Sequence, residues 1–315
     1  MSASLPLAVA QVTPLAADVR QLTLVARDGG PLPSHPPGSH LGLRWRREPD
    51  RVNSYSLTGD GDAPAAYTVS VLRVPGGSGG SAWVHQLRAG DPVDAVAPRS
   101  TFAPAAKARR HLLVAGGIGI TPLLSHARWH RRWGGDFTLY YASRPGRAPH
   151  LEELRSLCGP RLRAYPGRDA LWADLGPALR RQPLGTQLYV CGPAGLIEAV
   201  TAAAKSAHWA GSRLRCEAFG VSADGPRVPF RASLVLTGRQ VAVAAGETLL
   251  EALERDGVAV PSQCRGGVCG ECRTPVSAGP VDHRDLVLSA QEKASGQWIM
   301  PCVSRAAGDE LELSL

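Results

Sequence analysis

Cys264-Arg-Gly-Gly-Val-Cys269-Gly-Glu-Cys272, with Cys302 following after 29 intervening residues, is the stretch that decides how this 315-residue chain is organised. The spacing is C-x4-C-x2-C…C, that of plant-type [2Fe–2S] centres. Four thiolates must converge on two irons from one tight loop and one distant return. Gly266, Gly267 and Gly270 remove the Cβ groups that would keep backbone N–H groups away from the cluster sulfides. A zinc site with four cysteine ligands is the rival reading, but such sites usually combine two short C-x2–4-C pairs, and here the fourth ligand stands alone. Cys158, Cys191 and Cys216 are scattered, and seven cysteines are odd in number and too few for a disulfide scaffold. Cys264, Cys269, Cys272 and Cys302 are therefore the expected metal ligands.

Around this loop the pattern is that of a small α+β domain of β-grasp type over 229–315. Phe230 to Leu236 and Gln240 to Val243 flank Thr237-Gly-Arg239, a hairpin signal. Thr248 is placed to N-cap a helix over Leu249 to Asp256, ended by Gly257, and Glu310 to Leu315 reads as a returning strand. Upstream, the polar Ser222 to Pro229 reads as a linker. Before it, His111 to Ala115, Phe137 to Ala142 and Gln187 to Cys191 are short apolar runs alternating with helical stretches, which predicts a parallel α/β domain over 106–222. The first hundred residues hold short strands, Leu5 to Val12, Val19 to Arg27, His40 to Trp45, Asn53 to Leu57 and Tyr67 to Val74, separated by turn clusters. They predict an antiparallel barrel over 1–105.

Composition excludes several classes. Hydrophobic residues make up 44% and charged ones 20%, enough apolar material for ordinary cores and too much for a disordered chain. No apolar run approaches the length of a membrane span, and the first ten residues lack a basic stretch followed by an apolar core, so a cytoplasmic protein is expected. The net charge of +8 is unevenly placed. Residues 229–315 carry eight basic and eleven acidic side chains, so the excess of positive charge lies in the first 228 residues. No Lys/Arg block exceeds two residues and no basic–aromatic repeat exists, which argues against nucleic acid. The asymmetry reads equally as a solvated arginine-rich surface or as a steering field.

Two further glycine loops carry chemistry. Gly116-Gly-Ile-Gly-Ile-Thr-Pro122 lies between an apolar strand and a helix, where glycines let a phosphorylated ligand approach the backbone and the helix N-terminus supplies N–H groups. It departs from G-x-G-x-x-G, because Gly117 and Gly119 fit the first two glycines and Pro122 holds the third position. A tight turn is the competing reading. Cys191-Gly192-Pro193 also follows a strand and completes the same site if the sheet sets the two strands side by side; alone, Cys191 reads as a packed thiol. Gly76 to Ser81 precedes a helix and reads either as an anion cradle or as a flexible surface loop.

Tyr55-Ser56-Leu57, Gly79-Gly80-Ser81, Gly116 to Pro122, Cys191-Gly192-Pro193, Glu217-Ala-Phe219 and the cysteine quartet, in this order, resemble the phthalate dioxygenase reductase family, which includes vanillate O-demethylase reductases. The resemblance spans nearly the whole chain. It implies FMN, rather than FAD, in the barrel, NADH in the α/β domain and a [2Fe–2S] cluster at the C-terminal end. It further implies that Tyr55 packs on the isoalloxazine with Ser56 near its N5, and that Gly79, Gly80 and Ser81 bind the flavin phosphate. Gly117, Thr121, Cys191, Gly192 and Pro193 line the nicotinamide path, and Glu217 and Phe219 approach the flavin from the nucleotide side. One position departs: the family usually carries Arg two residues before the Tyr, and this chain has Asn53. Arg51, on the same strand face, and Arg73, before the glycine loop, are the candidate replacements.

The expected activity is electron transfer from NADH through FMN and [2Fe–2S] to the Rieske centre of a partner ring-hydroxylating or demethylating oxygenase, with a monomeric chain. NADH is preferred to NADPH on the resemblance, although Ser143-Arg144 stands where a 2′-phosphate is met in some enzymes. Reductases of other monooxygenases and a redox-sensing module without turnover are the alternatives. The first typically places its ferredoxin domain at the start, and the second would not reduce a dye with NADH.

Overall fold

The computed structural model describes residues 4–46, 51–75, 79–100, 102–219, 228–262, 265–267 and 270–315. Cys264 and Cys269, positions 76–78 of the first glycine loop and most of the expected linker lie outside the described residues. The chain divides into two compact units, Met1–Glu217 and Ala218–Leu315, and the first unit contains two sheets.

The first sheet is antiparallel and six-stranded: β1 (Ser4–Ala16), β2 (Val19–Ala26), β3 (Ser39–Arg46), β4 (Arg51–Ser56), β5 (Tyr67–Leu72) and β6 (Pro92–Ser100), with the short helix α1 (Gly80–Val84) between β5 and β6. Its order is β4-β3-β6-β1-β2-β5, and a bridge from Leu57 to Val69 curls the end of β4 onto β5, so the sheet closes into the expected barrel. Leu7, Leu22, Leu24, Leu41, Leu43, Val69 and Val93 alternate inward to fill it. β1 runs to Ala16, beyond the expected end at Val12. Register shifts after Val9 and Pro14 absorb the proline, which a regular ladder would not accept.

The second sheet is parallel, β11-β10-β7-β8-β9, built from β7 (Arg110–Gly116), β8 (Phe137–Ala142), β9 (Leu162–Tyr165), β10 (Thr186–Cys191) and β11 (Leu214–Glu217). Helices α2 (Ile120–Trp133), α3 (Leu151–Cys158), α4 (Arg168–Arg180) and α5 (Ala194–Ser206) connect them. The β9 and β11 strands are four residues each, and α4 contains Gly176 and Pro177, so none of the three stands out from the sequence. Tyr189 on β10 ties the barrel exit to this sheet. Its hydroxyl donates to the Ala103 carbonyl at 2.9 Å and accepts from the Ala105 N–H at 2.8 Å.

The second unit holds a mixed five-stranded sheet of order β13-β12-β18-β14-β16. Its strands are β12 (Phe230–Leu234), β13 (Arg239–Val243), β14 (Thr274–Ala278), β16 (Trp298–Ile299) and β18 (Glu310–Leu313), and β15 (Val281–Asp282) pairs separately with β17 (Arg305–Ala306). Helix α6 (Leu249–Arg255) starts on a reciprocal cap, in which Thr248 Oγ1 accepts from Glu251 N and Glu251 Oε2 accepts from Thr248 N. It buries Leu249, Leu250 and Leu253 in the core beneath the sheet, and α7 (Ala290–Ser295) carries a second cap of the same kind at Ser289. Parallel pairing of β12 with β18, which places first and last strands together, gives the expected β-grasp arrangement.

Three histidines lie in the core of the parallel-sheet lobe. His111 on β7 and His130 on α2 have ring centroids 4.4 Å apart, His130 stacks on Phe137, and His126 packs against Tyr189. His126 Nε2 donates to the Phe102 carbonyl at 2.8 Å, while neither nitrogen of His130 has a hydrogen-bond partner among the described residues. Burial lowers His111 to about 4 and His126 and His130 to about 3. These rings are neutral when folded and take up protons when unfolded below the ordinary histidine range. Their contribution is therefore complete above pH about 6.5 and is lost as pH falls through the folded values, about 4 for His111 and about 3 for His126 and His130. Thermal melts of the full chain between pH 8 and pH 4 should show the melting temperature falling through this window. In His130→Phe, which keeps the stack on Phe137, the fall should be shallower.

Candidate functional site

The parallel sheet reverses direction between β7 and β10: the chain moves outward from β7 through β8 and β9 on one side and returns through β10 and β11 on the other. A crevice opens beyond the carboxyl ends of strands at such a switch point. Gly116 to Gly119 follow β7 and Cys191-Gly192-Pro193 follow β10, so the sheet order satisfies the condition the sequence imposed on them. The two loops touch through backbone. A Cβ on Gly119 would overlap the Cys191 carbonyl, one on Gly116 would meet Leu196 Cδ2 at 2.6 Å, and one on Gly192 would meet the Gly116 nitrogen at 3.0 Å. Gly117 has a φ of +54° and open space around its missing side chain.

The named side chains here differ in what they offer. Thr121 is buried and its hydroxyl donates to the Ile118 carbonyl at 3.1 Å, which shapes the turn entering α2. Pro122 is buried in the first turn of the helix, where its missing N–H costs nothing. The Cys191 thiol is fully buried, and burial pushes it well above the ordinary thiol range, so it is a packed, neutral group. Glu217 ends β11 in register with Cys191. Its Oε2 is enclosed and has no partner among the described residues, and burial raises the carboxyl to about 8. Phe219 belongs to the second unit and is 45% exposed. Sequence reading missed Arg168 at the start of α4: its guanidinium lies 3.2 Å from where a Gly195 Cβ would stand, over the first turn of α5. Only the assembled sheet reveals this cation beside a helix N-terminus.

In the barrel, β4 presents Tyr55 and buries Ser56. The Tyr55 hydroxyl is enclosed with no hydrogen bond of ordinary geometry, and burial raises the phenol despite the neighbouring Asn53 amide. Asn53 accepts from Trp45 Nε1 at 2.9 Å, and its amide packs where a Gly80 Cβ would need to be, 2.7 Å away. Gly79, at φ +103°, lies under the Trp45 ring. The residue that departs from the family pattern is thus built into a Trp45–Asn53–Gly80 contact, and Trp45 is a second residue that the sequence reading did not single out. The Ser81 hydroxyl accepts from Val74 N at 3.2 Å and so closes the root of the glycine loop. Arg51 is half-buried at the start of β4, and Arg73 is exposed at the end of β5.

In the second unit the two described ligand candidates meet: Cys272 and Cys302, both buried, have sulfurs 3.3 Å apart, with Met300 Sδ 4.0 Å from Cys272. Neither cysteine is in a disulfide. Two buried thiols at this separation can serve one iron. The loop beside them takes left-handed backbone at Gly267 and Gly270 and is held by Leu286 N donating to the Gly267 carbonyl at 2.9 Å. These residues fit a cluster. The enclosed Tyr55 hydroxyl, without a partner among the described residues, fits a planar ring system that brings polar atoms of its own.

Fold and site together define a reductase class: a barrel and a switch-point nucleotide site in one unit, and an iron–sulfur module in the other. A family profile described as the N-terminal domain of a dimethylamine monooxygenase subunit matches residues 93–214, and the 2Fe-2S iron-sulfur cluster binding domain profile matches 235–307. The chain is 42% identical over 308 residues to the heme-dependent oxidative N-demethylase beta subunit of Ectopseudomonas mendocina (strain ymp), covering 95% of this chain and 97% of that one. It is 38% identical to the reductase subunit of the toluene-4-sulfonate monooxygenase system of Comamonas testosteroni, with both chains fully covered. The structure of phthalate dioxygenase reductase, described as modular for electron transfer from pyridine nucleotides to [2Fe-2S], superposes with a TM-score of 0.83 at 33% identity, over 99% of this chain and 98% of that one. The chain belongs to the phthalate dioxygenase reductase family. It is an oxidoreductase, the reductase component of an oxygenase system, carrying electrons from a reduced pyridine nucleotide through a flavin and a [2Fe–2S] cluster. Among the described residues no helix is long and apolar enough to cross a membrane.

Two outcomes follow from this geometry. Gly119→Ala should cut the rate of flavin bleaching by NADH about tenfold or more, because the loop must move away from Cys191, while bound flavin and cluster absorbance persist. Glu217→Gln should stabilise the protein at alkaline pH. A carboxyl whose pKa is raised on folding loses stability as pH rises from about 4.5 through 8, so the melting-temperature difference between variant and parent should widen across that window.

Proposed function

We propose that the pyridine nucleotide is NADH, that the flavin is FMN, and that the electrons pass to a Rieske-type centre of a terminal oxygenase in a transient complex. The observation that carries this reading is the backbone contact between the Gly116–Gly119 and Cys191–Pro193 loops at the switch point, in one chain with the cysteine pair at 272 and 302. In this reading residues 1–105 hold the flavin, 106–222 the nucleotide and 229–315 the cluster. Bound flavin supplies the conversion between a two-electron hydride donor and a one-electron cluster.

The chain's own residues have distinct parts. Tyr55 packs against the flavin ring, and Ser56 borders it from the same strand end. Asn53 and Trp45 shape the mouth of the phosphate loop formed by Gly79, Gly80 and Ser81, with Arg51 or Arg73 as the cation. Gly117 and Gly119 let the nicotinamide end approach the backbone, while the α5 N-terminus and Arg168 meet nucleotide phosphate. Glu217 holds a proton on its carboxyl at neutral pH beside the path. Cys264, Cys269, Cys272 and Cys302 ligate the cluster. The acidic module carrying them docks on a basic oxygenase surface, so that transfer slows as salt screens the charges.

A second reading is favoured by one comparison. The relative at 42% identity is named as a subunit of a heme-dependent oxidative N-demethylase, and the profile over 93–214 takes its description from a dimethylamine monooxygenase subunit. On that reading the acceptor serves haem chemistry on an amine, with the reductase unchanged.

An anaerobic absorbance spectrum before and after NADH, then NADPH, with the released flavin identified, tests the proposal. Flavin and iron–sulfur bands should both bleach with NADH, and FMN should be released. Cys302→Ser should keep NADH-driven flavin bleaching and dye reduction but lose the iron–sulfur bands and electron delivery to a one-electron acceptor. Zinc in place of the cluster would overturn the relay.

A further inference from the structure

Between the barrel and the parallel-sheet lobe of the first unit runs a polar chain that the site residues above do not use, buried at Ser70 and His150 and part-exposed at Glu153 and Arg128. Ser70 on β5 contacts His150 Nε2 at 2.9 Å, and His150 Nδ1 contacts Glu153 Oε2 on α3 at 2.8 Å. Glu153 Oε1 accepts from Arg128 on α2, and Arg128 donates onward to the Thr58 carbonyl, back in the barrel, at 2.9 Å. The circuit begins and ends on the barrel and passes through both helices. His150 adopts a φ of +63°, a left-handed conformation uncommon for a residue with a side chain, and it is buried. A strained, buried residue held by two side-chain hydrogen bonds points to a positional demand. The Ser–His–Glu order also resembles a nucleophile triad. Ser70 is only 5% exposed, however, so a substrate does not reach its hydroxyl.

The two ends of the circuit are the two sides of the reaction. Ser70 follows Val69, which bridges to Leu57 directly after Tyr55 and Ser56, and Thr58 N donates to the Thr68 carbonyl. Movement of β5 therefore moves the flavin face. On the other side, α2 begins at Ile120, at the end of the Gly116–Gly119 loop, and carries Arg128 two turns further on. Ser125 donates to the Gly59 carbonyl, and Arg132 pairs with Asp60 at 3.0 Å and Asp62 at 2.6 Å, so α2 is stitched to the barrel along one side. Arg132, Asp60 and Asp62 are partly exposed and weakly restraining. The His150 link is directional, and its imidazole is almost fully buried. His150 Nδ1 lies against the Glu153 carboxylate and Nε2 against the Ser70 hydroxyl, so the two ring nitrogens reach the two sides of the interface. The His150 and Arg128 contacts outweigh desolvation and hold the Glu153 carboxyl down to about 2, so it is an ionised acceptor.

We propose that His150 is a positioning residue for hydride transfer: through Ser70 on one side and Glu153–Arg128 on the other, it fixes the spacing between the flavin face and the nicotinamide loop at the head of α2. This rests on the assignment of that loop under the proposed function. The test uses the full chain with its native cofactors, comparing Ser70→Ala, Ser70→Thr and His150→Asn, the last chosen because Asn tolerates left-handed backbone. Four quantities are read: the anaerobic flavin-bleaching rate at saturating NADH and 4-deuterated NADH, NAD⁺ affinity by calorimetry, amide exchange over residues 117–125, and the melting temperature.

The expected result for Ser70→Ala and His150→Asn is a bleaching rate lowered about tenfold with the isotope effect more fully expressed and faster exchange at 117–125. NAD⁺ affinity should stay within about twofold of the parent, and Ser70→Thr, which retains the hydroxyl, should stay near parental values. If His150→Asn does not fold, Ser70→Ala alone decides. Parental bleaching and exchange in Ser70→Ala, with or without a lower melting temperature, overturn the inference and leave a merely structural bond. A parent protein that NADH does not reduce overturns the site reading itself, which distinguishes the two failures.

Discussion

Everything in the nucleotide site depends on one approach of backbone to backbone: Gly119 against the carbonyl of Cys191, with Gly116 and Gly192 beside them. Two parallel strands that are neighbours in the sheet but distant in sequence must end together, and the chain turns away from each in opposite directions. Only residues without Cβ allow those turns to touch. The crevice is thus a consequence of strand order, and the helices α2 and α5 that start from it aim their N–H groups into it, with Arg168 as the one cation set beside the head of α5 among the residues named here. Phosphorylated ligands suit such a place because the recognition is carried by backbone.

Charge and burial divide the molecule into parts with different tasks. The first unit buries polar and titratable groups heavily: the histidine trio, His150, Cys191 and the Glu217 carboxyl. For the histidine trio, Cys191 and Glu217 the pKa values move because solvation is withdrawn, which favours the neutral form, whereas the partners of Glu153 keep it ionised. The iron–sulfur module buries Asp285 and Arg305 and sets Cys272 and Cys302 together in an apolar core beside Met300, Val303 and Leu288. An acidic exterior joined to a basic front half suits a protein that receives electrons internally and hands them to another molecule.

Legibility in the sequence followed the physics of each feature. The cysteine spacing, the glycine loops and the Thr248 cap were readable because each needs particular residue types at short fixed intervals. The β1 extension past Pro14, the short β9 and β11 strands and α4 with its internal Gly176-Pro177 were not, because tertiary pairing overrides weak or contrary local preference. Asn53 was readable as a departure, but its partner Trp45 was not, since the two meet only across the β3–β4 pair. Thr121 was read as part of the glycine loop before a helix starting at Leu123, but α2 begins at Ile120, so Thr121 lies in its first turn with its hydroxyl turned inward to Ile118. Arg168 gave no local signal, and it gains its place from the packing of α4 beside the head of α5.

The sequence by itself determined the order of the modules, the four candidate cluster ligands and the positions where backbone must come close to a ligand. These are properties of spacing along a chain, where residue type limits what the backbone can do. Only the tertiary structure decided that β7 and β10 lie side by side, that Cys191 is sealed and neutral, and that Glu217 holds its proton. It also decided that Ser70, His150, Glu153 and Arg128 form one circuit between the two sheets of the first unit. These are properties of burial and of contacts between residues far apart in sequence, and desolvation and long-range pairing have no signature in local pattern.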